Sequence, residues 1–336
     1  MNDFAFVVST AMRRSYTSRG KVGVKISRRK SFRLSLSAGL IEWSEKTQVN
    51  KSSSRGNQTF GRWLRRLLII LTASYLAAAL GCAAFQRRML YYPTNASADA
   101  FDGAKKPEGL ERWKNSAGEN IGWKRLAAVQ PTRGEVLITH GNGGCAIDRA
   151  DFAEPLRGSA AMDIFILEYP GFGDRAGVPS QTTFFAAAES AFQSLPKTAP
   201  VYLVGESLGT GVAAFLAGKH SNKVAGVLLF APYNSLVDVA QHHVRILPAR
   251  WLMHDHFESE KYFQQYHGPL AILVGGRDAV VPQEFGRRLF DGYTGPKRLW
   301  EIPQAGHNTI HAHSKELWSE VIAFWRTSEP PMRQPN

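Results

Sequence analysis

The pentapeptide Gly205-Glu206-Ser207-Leu208-Gly209 joins the apolar run Val201–Val204 to the small-residue stretch 208–219, and this junction restricts the fold more than any other feature. The first segment reads as a buried strand and the second as a helix, so the motif occupies a strand-to-helix turn. In so tight a turn, side chains at the two glycine positions would clash with their neighbours. The same geometry holds the serine hydroxyl clear of the sheet edge. Around this junction, strand patterns recur at Ile121–Ala127, Glu135–Thr139, Asp163–Leu167, Val227–Phe230, Ala271–Val274 and Leu299–Ile302. Several are nearly continuous apolar runs, as expected of strands buried on both faces. Helical patterns fall between them, at about 147–158, 181–194, 208–219, 283–292 and 311–326. Such alternation predicts βαβ units and a mostly parallel sheet. Residues 234–266 interrupt the alternation and are rich in His, Phe, Trp and Tyr, which predicts a small helical insertion able to act as a lid.

A serine hydroxyl is a poor nucleophile until a base takes its proton. Two later loops carry the complementary groups in the order Ser, acid, His that this kind of fold uses. Gly275-Gly276-Arg277-Asp278 follows the strand Ala271–Val274, and Ala305-Gly306-His307-Asn308 follows Leu299–Ile302. Both lie beyond the carboxyl ends of strands, where ligands and catalysts collect in open α/β sheets. The expected roles are Ser207 as nucleophile, His307 as its base and Asp278 as the group orienting His307, with Asp238 the next acid to consider. Taken singly, Asp278 reads as a turn carboxylate and His307 as a loop residue. Residue type, chain order and loop position together favour the catalytic reading. An oxyanion formed by attack needs donors. His140-Gly141-Asn142-Gly143-Gly144 follows Glu135–Thr139, and its small residues let backbone N–H groups approach a substrate. The N–H groups of Asn142 and Leu208 are the candidate donors, with Gly141 beside the substrate. The segment lacks the lysine and the spacing of a nucleotide-binding loop, so no cofactor is expected.

The remaining histidines offer alternatives. His311 and His313 read as surface or capping residues of the last helix. His242, His243, His254 and His256 fall in the insertion. A zinc site built from His254, Asp255 and His256 is disfavoured, because adjacent residues of a helix point to different faces. No metal is expected.

Taken as a set, HGNGG, EYPGFGDRAG (168–177), GESLG, APYNSLVDVA (231–240), GGRDAVVP (275–282) and AGHN resemble the membrane-anchored branch of the abhydrolase-domain family of α/β-hydrolases. That branch includes protein depalmitoylases and many bacterial and fungal relatives. The resemblance covers roughly residues 67–326, including FQRRMLYYP (85–93). It implies a mostly parallel eight-stranded sheet with helices on both faces and a small helical lid at about 234–266. It also implies that Ser207, Asp278 and His307 are catalytic, and it places Tyr169 near the substrate. The leading expectation is a serine hydrolase acting on an ester or thioester, such as a lipid or an acylated protein, through an acyl-enzyme. A peptidase or amidase on the same scaffold is the rival enzyme, since fold does not determine chemistry. A catalytically silent, membrane-tethered binding module is the rival from another class, and the retained Ser207, Asp278 and His307 argue against it.

The N-terminal part sets the location. Residues 67–85, LLIILTASYLAAALGCAAF, form an uncharged run long enough to cross a bilayer as a helix. Arg62, Arg65 and Arg66 precede it, and Arg87 and Arg88 follow it. The heavier basic load before the run predicts a cytoplasmic tail and a hydrolase domain on the non-cytoplasmic side. The same residues also read as a lipoprotein signal ending at Cys82, which would then carry the lipid. The formal charge of +13 lies almost wholly in residues 1–66, with 15 Lys and Arg against 3 Asp and Glu. The other 26 basic and 25 acidic residues nearly cancel, so no nucleic-acid partner is expected, and tethering to nucleic acid through the basic tail is the minor alternative. Residues 1–66 therefore read as a basic tail, mostly disordered, and 105–330 as the hydrolase domain. The two cysteines, Cys82 and Cys145, do not read as a disulfide pair, because Cys82 lies in the apolar run.

Overall fold

The computed structural model describes residues 25–31, 44–50, 55–94, 106, 108–150, 156, 160–310 and 315–328. It comprises two compact units, residues 1–75 and 76–336. In the first, β1 (Lys25–Ser31) pairs antiparallel with β2 (Ser44–Asn50), setting Ile26 opposite Val49 and Lys30 opposite Glu45. The sequence predicts no structure here, because neither segment carries an apolar face long enough to show as a period. Helix α1 (Arg55–Leu90) runs from the first unit into the second. It extends well beyond the 19-residue apolar run, since nothing breaks a helix before Tyr91-Tyr92-Pro93. Its segment Thr59–Leu90 is long and apolar enough to cross a membrane, and only 6% of its most apolar stretch is buried.

The second unit continues with β3 (Tyr92–Pro93), β4 (Glu111–Lys114), β5 (Asn120–Arg125), β6 (Glu135–Thr139), β7 (Gly143–Gly144) and β8 (Asp163–Leu167). After these come α2 (Gln181–Gln193), β9 (Val201–Glu206), α3 (Leu208–Lys219), β10 (Val224–Phe230) and three short helices, α4 (Leu236–His243), α5 (Ala249–Leu252) and α6 (Ser259–Phe263). The chain ends with β11 (Leu270–Gly275), α7 (Gln283–Gly292), β12 (Lys297–Ile302) and α8 (Lys315–Ser328). Eight strands form one sheet in the order β12-β11-β10-β9-β6-β8-β5-β4. The pairings from β12 to β8 are parallel, while β5 and β4 close the edge as an antiparallel hairpin. The expected mostly parallel eight-stranded sheet is therefore present.

Two apolar layers flank it. One packs Phe184 and Phe192 of α2, Val212 and Leu216 of α3, and Phe285 and Leu289 of α7 against the sheet. The other packs Trp318, Val321 and Trp325 of α8 with Val136, Ile138 and Val204. Trp325 stacks on Tyr202 at 4.6 Å and lies against Gly226, where no side chain would fit. Strand β4 escapes the sequence pattern because Glu111, Arg112 and Lys114 mark it as polar. Its one signal is the turn that follows, where Asn115 Oδ1 accepts from the N–H groups of Ala117 and Glu119.

Three other elements differ from expectation. The helix predicted at 147–158 begins as a 3-10 turn over Ala146–Arg149, and most of its remainder lies outside the described residues. The last helix is described from Lys315, so His311 and His313 also lie outside them. The insertion at 234–266 forms three helices, but it is not wholly a cover. Phe257, Phe263 and Tyr266 are buried in the first apolar layer, while the insertion's large exposed apolar side chains lie in its middle, at Val244, Ile246 and Trp251.

Candidate functional site

Strand β9 delivers Ser207 into a left-handed backbone conformation, with φ 50° and ψ −120°. This region is costly for a residue with a Cβ. The surrounding contacts hold it there. Ser207 N–H donates to Phe230 O at 2.9 Å, and Ser207 O accepts from Thr210 N–H at 2.9 Å and from Thr210 Oγ1 at 2.6 Å. The two motif glycines are required by close approach. A Cβ on Gly205 would lie 2.8 Å from the Thr210 Cα, and one on Gly209 would run into the carbonyl oxygens of Thr139 and His140.

The side chains of Ser207, His307 and Asp278 meet in a line. His307 Nε2 is 2.9 Å from Ser207 Oγ, and His307 Nδ1 is 2.7 Å from Asp278 Oδ2. The other carboxylate oxygen of Asp278 accepts the N–H groups of Val280 and Val281, both at 2.8 Å. Asp278 is thus fixed by its own loop, and its carboxylate is shielded from solvent. Three distant strand ends bring these groups together, namely β9, β11 and β12. Asp238 is elsewhere, with Asn234 Nδ2 donating to it at 2.6 Å and Arg288 at 3.7 Å.

The glycine-rich loop after β6 passes directly over Ser207. A Cβ on Gly141 would lie 3.5 Å from the Ser207 Cβ, so Gly141 borders the hydroxyl closely. Asn142 follows it and Leu208 opens α3. The N–H groups of both carry no hydrogen bond within the described residues. Tyr169 lies one layer beneath. It is fully buried, stacks on Phe184 at 4.0 Å and donates its hydroxyl to His140 O. Its contact is with the loop's support. The Glu168 carboxylate, also buried, accepts Ala146 N–H and lies 3.3 Å from His140 Nε2. Neighbouring Glu206 pairs with Arg149.

The other histidines have separate partners. His242 faces Glu284 at 3.5 Å, and His243 Nε2 is 2.9 Å from Val280 O. His254, Asp255 and His256 diverge. His254 meets Gln86, Asp255 turns into the interior and His256 meets Met253 O.

Sequence reasoning misses how this loop is held from outside. The chain leaving α1 is bonded to it. Asn142 Nδ2 donates to Leu90 O at 2.7 Å, Tyr92 N–H to Asn142 O at 2.8 Å and Thr94 N–H to Gly144 O at 3.0 Å. Strand β3 thereby pairs with β7 in parallel. A second fastening is buried Asp255, which accepts from Arg87 at 3.1 Å, from the Tyr91 hydroxyl at 2.9 Å and from Gln181 N–H at 3.1 Å. Burial first, and the Asp255 charge next, push the Tyr91 hydroxyl up in pKa, so it remains a donor. These contacts link residues fifty or more positions apart, and no local pattern announces them.

Cys145, at the end of the loop, is a rival nucleophile by residue type. Burial first, then the charges of Asp148 and Glu168, push its thiol up to about 12. Only the thiolate reacts, so Cys145 is expected to be inert. In the Cys82→Ser protein, iodoacetamide at pH 8 should label Cys145 at least about 100 times more slowly than after unfolding. Equal rates would show the thiol to be accessible and ionised.

Comparison with known proteins gives a consistent picture. A family model described as serine aminopeptidase S33 matches residues 130–259. An uncharacterized protein of Mycobacterium tuberculosis is 32% identical over 232 residues, covering 66% of this chain and 80% of that one. The alpha/beta hydrolase domain-containing protein 17C of Xenopus tropicalis is 27% identical over 61% of this chain. The match spans 66% of that relative's length. Among solved structures, an esterase of Pyrococcus furiosus superposes with a TM-score of 0.54 at 16% identity, covering 72% of this chain and 99% of that one. At that identity, the likeness speaks for the fold alone.

Proposed function

The chain belongs to the α/β-hydrolase superfamily, and from that premise we propose that it is a membrane-tethered serine hydrolase cleaving carboxylic esters or thioesters. The observation that carries this reading is the hydrogen-bonded line from Ser207 through His307 to Asp278. Ser207 Oγ attacks the substrate carbonyl while His307 Nε2 takes its proton. The C–O or C–S bond to the leaving group then breaks, and His307 protonates that group as it departs. Water, deprotonated by His307, releases the acyl group from Ser207. Asp278 stays ionised throughout, holding Nδ1–H and offsetting the charge of the imidazolium. The N–H groups of Asn142 and Leu208 receive the oxyanion.

The location of the loop supports an acyl substrate drawn from a bilayer. Asn142 is bonded to Leu90, the last residue of α1, and α1 carries the apolar run. By the positive-inside rule, the domain lies on the non-cytoplasmic face. A peptidase reading draws on the aminopeptidase family model, and parallel ester and anilide substrates with the same acyl group distinguish the two.

Labelling with a fluorophosphonate probe tests the proposal. Wild type should label within minutes and His307→Ala should not. A folded wild type that fails to label would refute an activated serine. Asp278→Asn should keep KM within about threefold while kcat falls by roughly 1,000-fold to 10,000-fold, because the wrong imidazole tautomer then faces Ser207. Full activity in that variant would shift the search for the acid elsewhere.

A further inference from the structure

The insertion exposes three large apolar side chains on a short stretch. Val244 is exposed, Ile246 is 80% exposed and Trp251 is 85% exposed. Arg245 and Arg250 flank them, are exposed, and form no ion pair among the described residues. Isolated surface hydrophobics need no explanation, but a cluster of Trp, Ile and Arg marks an interaction surface.

The occupant follows from what this stretch is tied to. Gln86 lies one residue beyond the apolar run of α1. Its Nε2 donates to Leu252 O at 3.0 Å and meets His254 Nδ1 at 2.7 Å, and its Oε1 accepts His254 N–H at 2.7 Å. Arg87 is paired with Asp255. Residues 252–255 are therefore pinned to the turn of helix where a bilayer's hydrocarbon would give way to headgroups, and Trp251 is their immediate neighbour. The nearby helix surface is itself apolar and exposed at Leu80, Phe85 and Met89. Tryptophan is enriched at that depth, and arginine extends from it to lipid phosphates.

We infer that residues 244–251 form a second membrane contact, with Ile246 and Trp251 seated in the headgroup–acyl boundary and Arg245 and Arg250 on lipid phosphates. The inference rests on the anchoring reading of α1. It gives the insertion a defined role, that of an interfacial foot tied to the last turns of α1. Substrate acyl chains would enter along this foot from the bilayer itself.

The test uses the full chain reconstituted into phosphatidylcholine–phosphatidylglycerol vesicles, with or without bromine at the 6 and 7 positions of the acyl chains. Bromine quenches tryptophan on contact. Subtracting the emission of Trp251→Phe from that of wild type isolates Trp251, and the other tryptophans cancel. Brominated bilayers should reduce the difference signal by half or more. Flotation of the same vesicles in a density gradient reports the anchor separately. Protein that floats while its Trp251 signal ignores bromine overturns the foot alone and leaves the patch to a protein partner. Protein that fails to float overturns the anchoring reading and the foot with it.

Discussion

Ser207→Ala is expected to lower ester hydrolysis by roughly 10,000-fold to a million-fold, with the fold intact. The size follows from what is lost. Without Oγ there is no acyl-enzyme, and His307 has no hydroxyl to activate. Only the positioning of substrate near Asn142 and Leu208 would remain. Little structural change should accompany the loss, because alanine bears the same backbone strain at φ 50° that serine already bears. The backbone bonds to Phe230 and Thr210 are unaffected. The measurement is kcat/KM on an activated ester, with circular dichroism as the check on folding. Activity within tenfold of wild type, in a protein free of wild-type carry-over, would exclude Ser207 as nucleophile.

Gly209→Ala should act in the opposite way, through the fold. The new methyl would be forced against Thr139 O and His140 O, both backbone atoms of the strand and loop that frame the site. Neither can turn aside as a flexible side chain would. Thr139 Oγ1 also donates to Gly209 O at 2.9 Å, so the start of α3 cannot slide away without breaking that bond. The expected cost is about 3 kcal/mol, at the upper end for overpacking. For a domain of this size that lowers Tm by roughly 6–12 °C. Gly143→Ala is the control, since the nearest atom to its Cβ is Tyr92 O at 3.9 Å, an ordinary contact. Thermal unfolding in one detergent compares the two. Equal melting temperatures for Gly209→Ala and wild type would mean that the elbow is looser than described.

The legible parts of the chain share a physical character. Strands β6, β8, β9, β10 and β11 are buried on both faces and carry nearly continuous apolar runs, with charges only at their ends, so their sequences announce them. Ser207 and Asp278 are legible because each sits just past such a strand, and His307 because it follows the partly exposed edge strand β12 in the expected chain order. Strand β4 was not, since an edge strand need not hide its charges. The three ties of Leu90, Tyr92 and Thr94 to the glycine-rich loop were not either. Most of them are made by backbone atoms, which every residue owns. Asp255 read as a doubtful metal ligand because its partners, Arg87 and Tyr91, lie more than 160 residues away.

The register of β3 on β7 has a mechanical consequence. Only Tyr91 separates the end of α1 from the first paired residue, so the attachment has no slack. With Gln86 and Arg87 also fastened, the last turns of the helix behave as a handle rather than a rope. The domain therefore cannot rotate about the last turn of α1. Lengthening the joint by a few glycines would free that rotation, and would also release the strap that steadies Asn142.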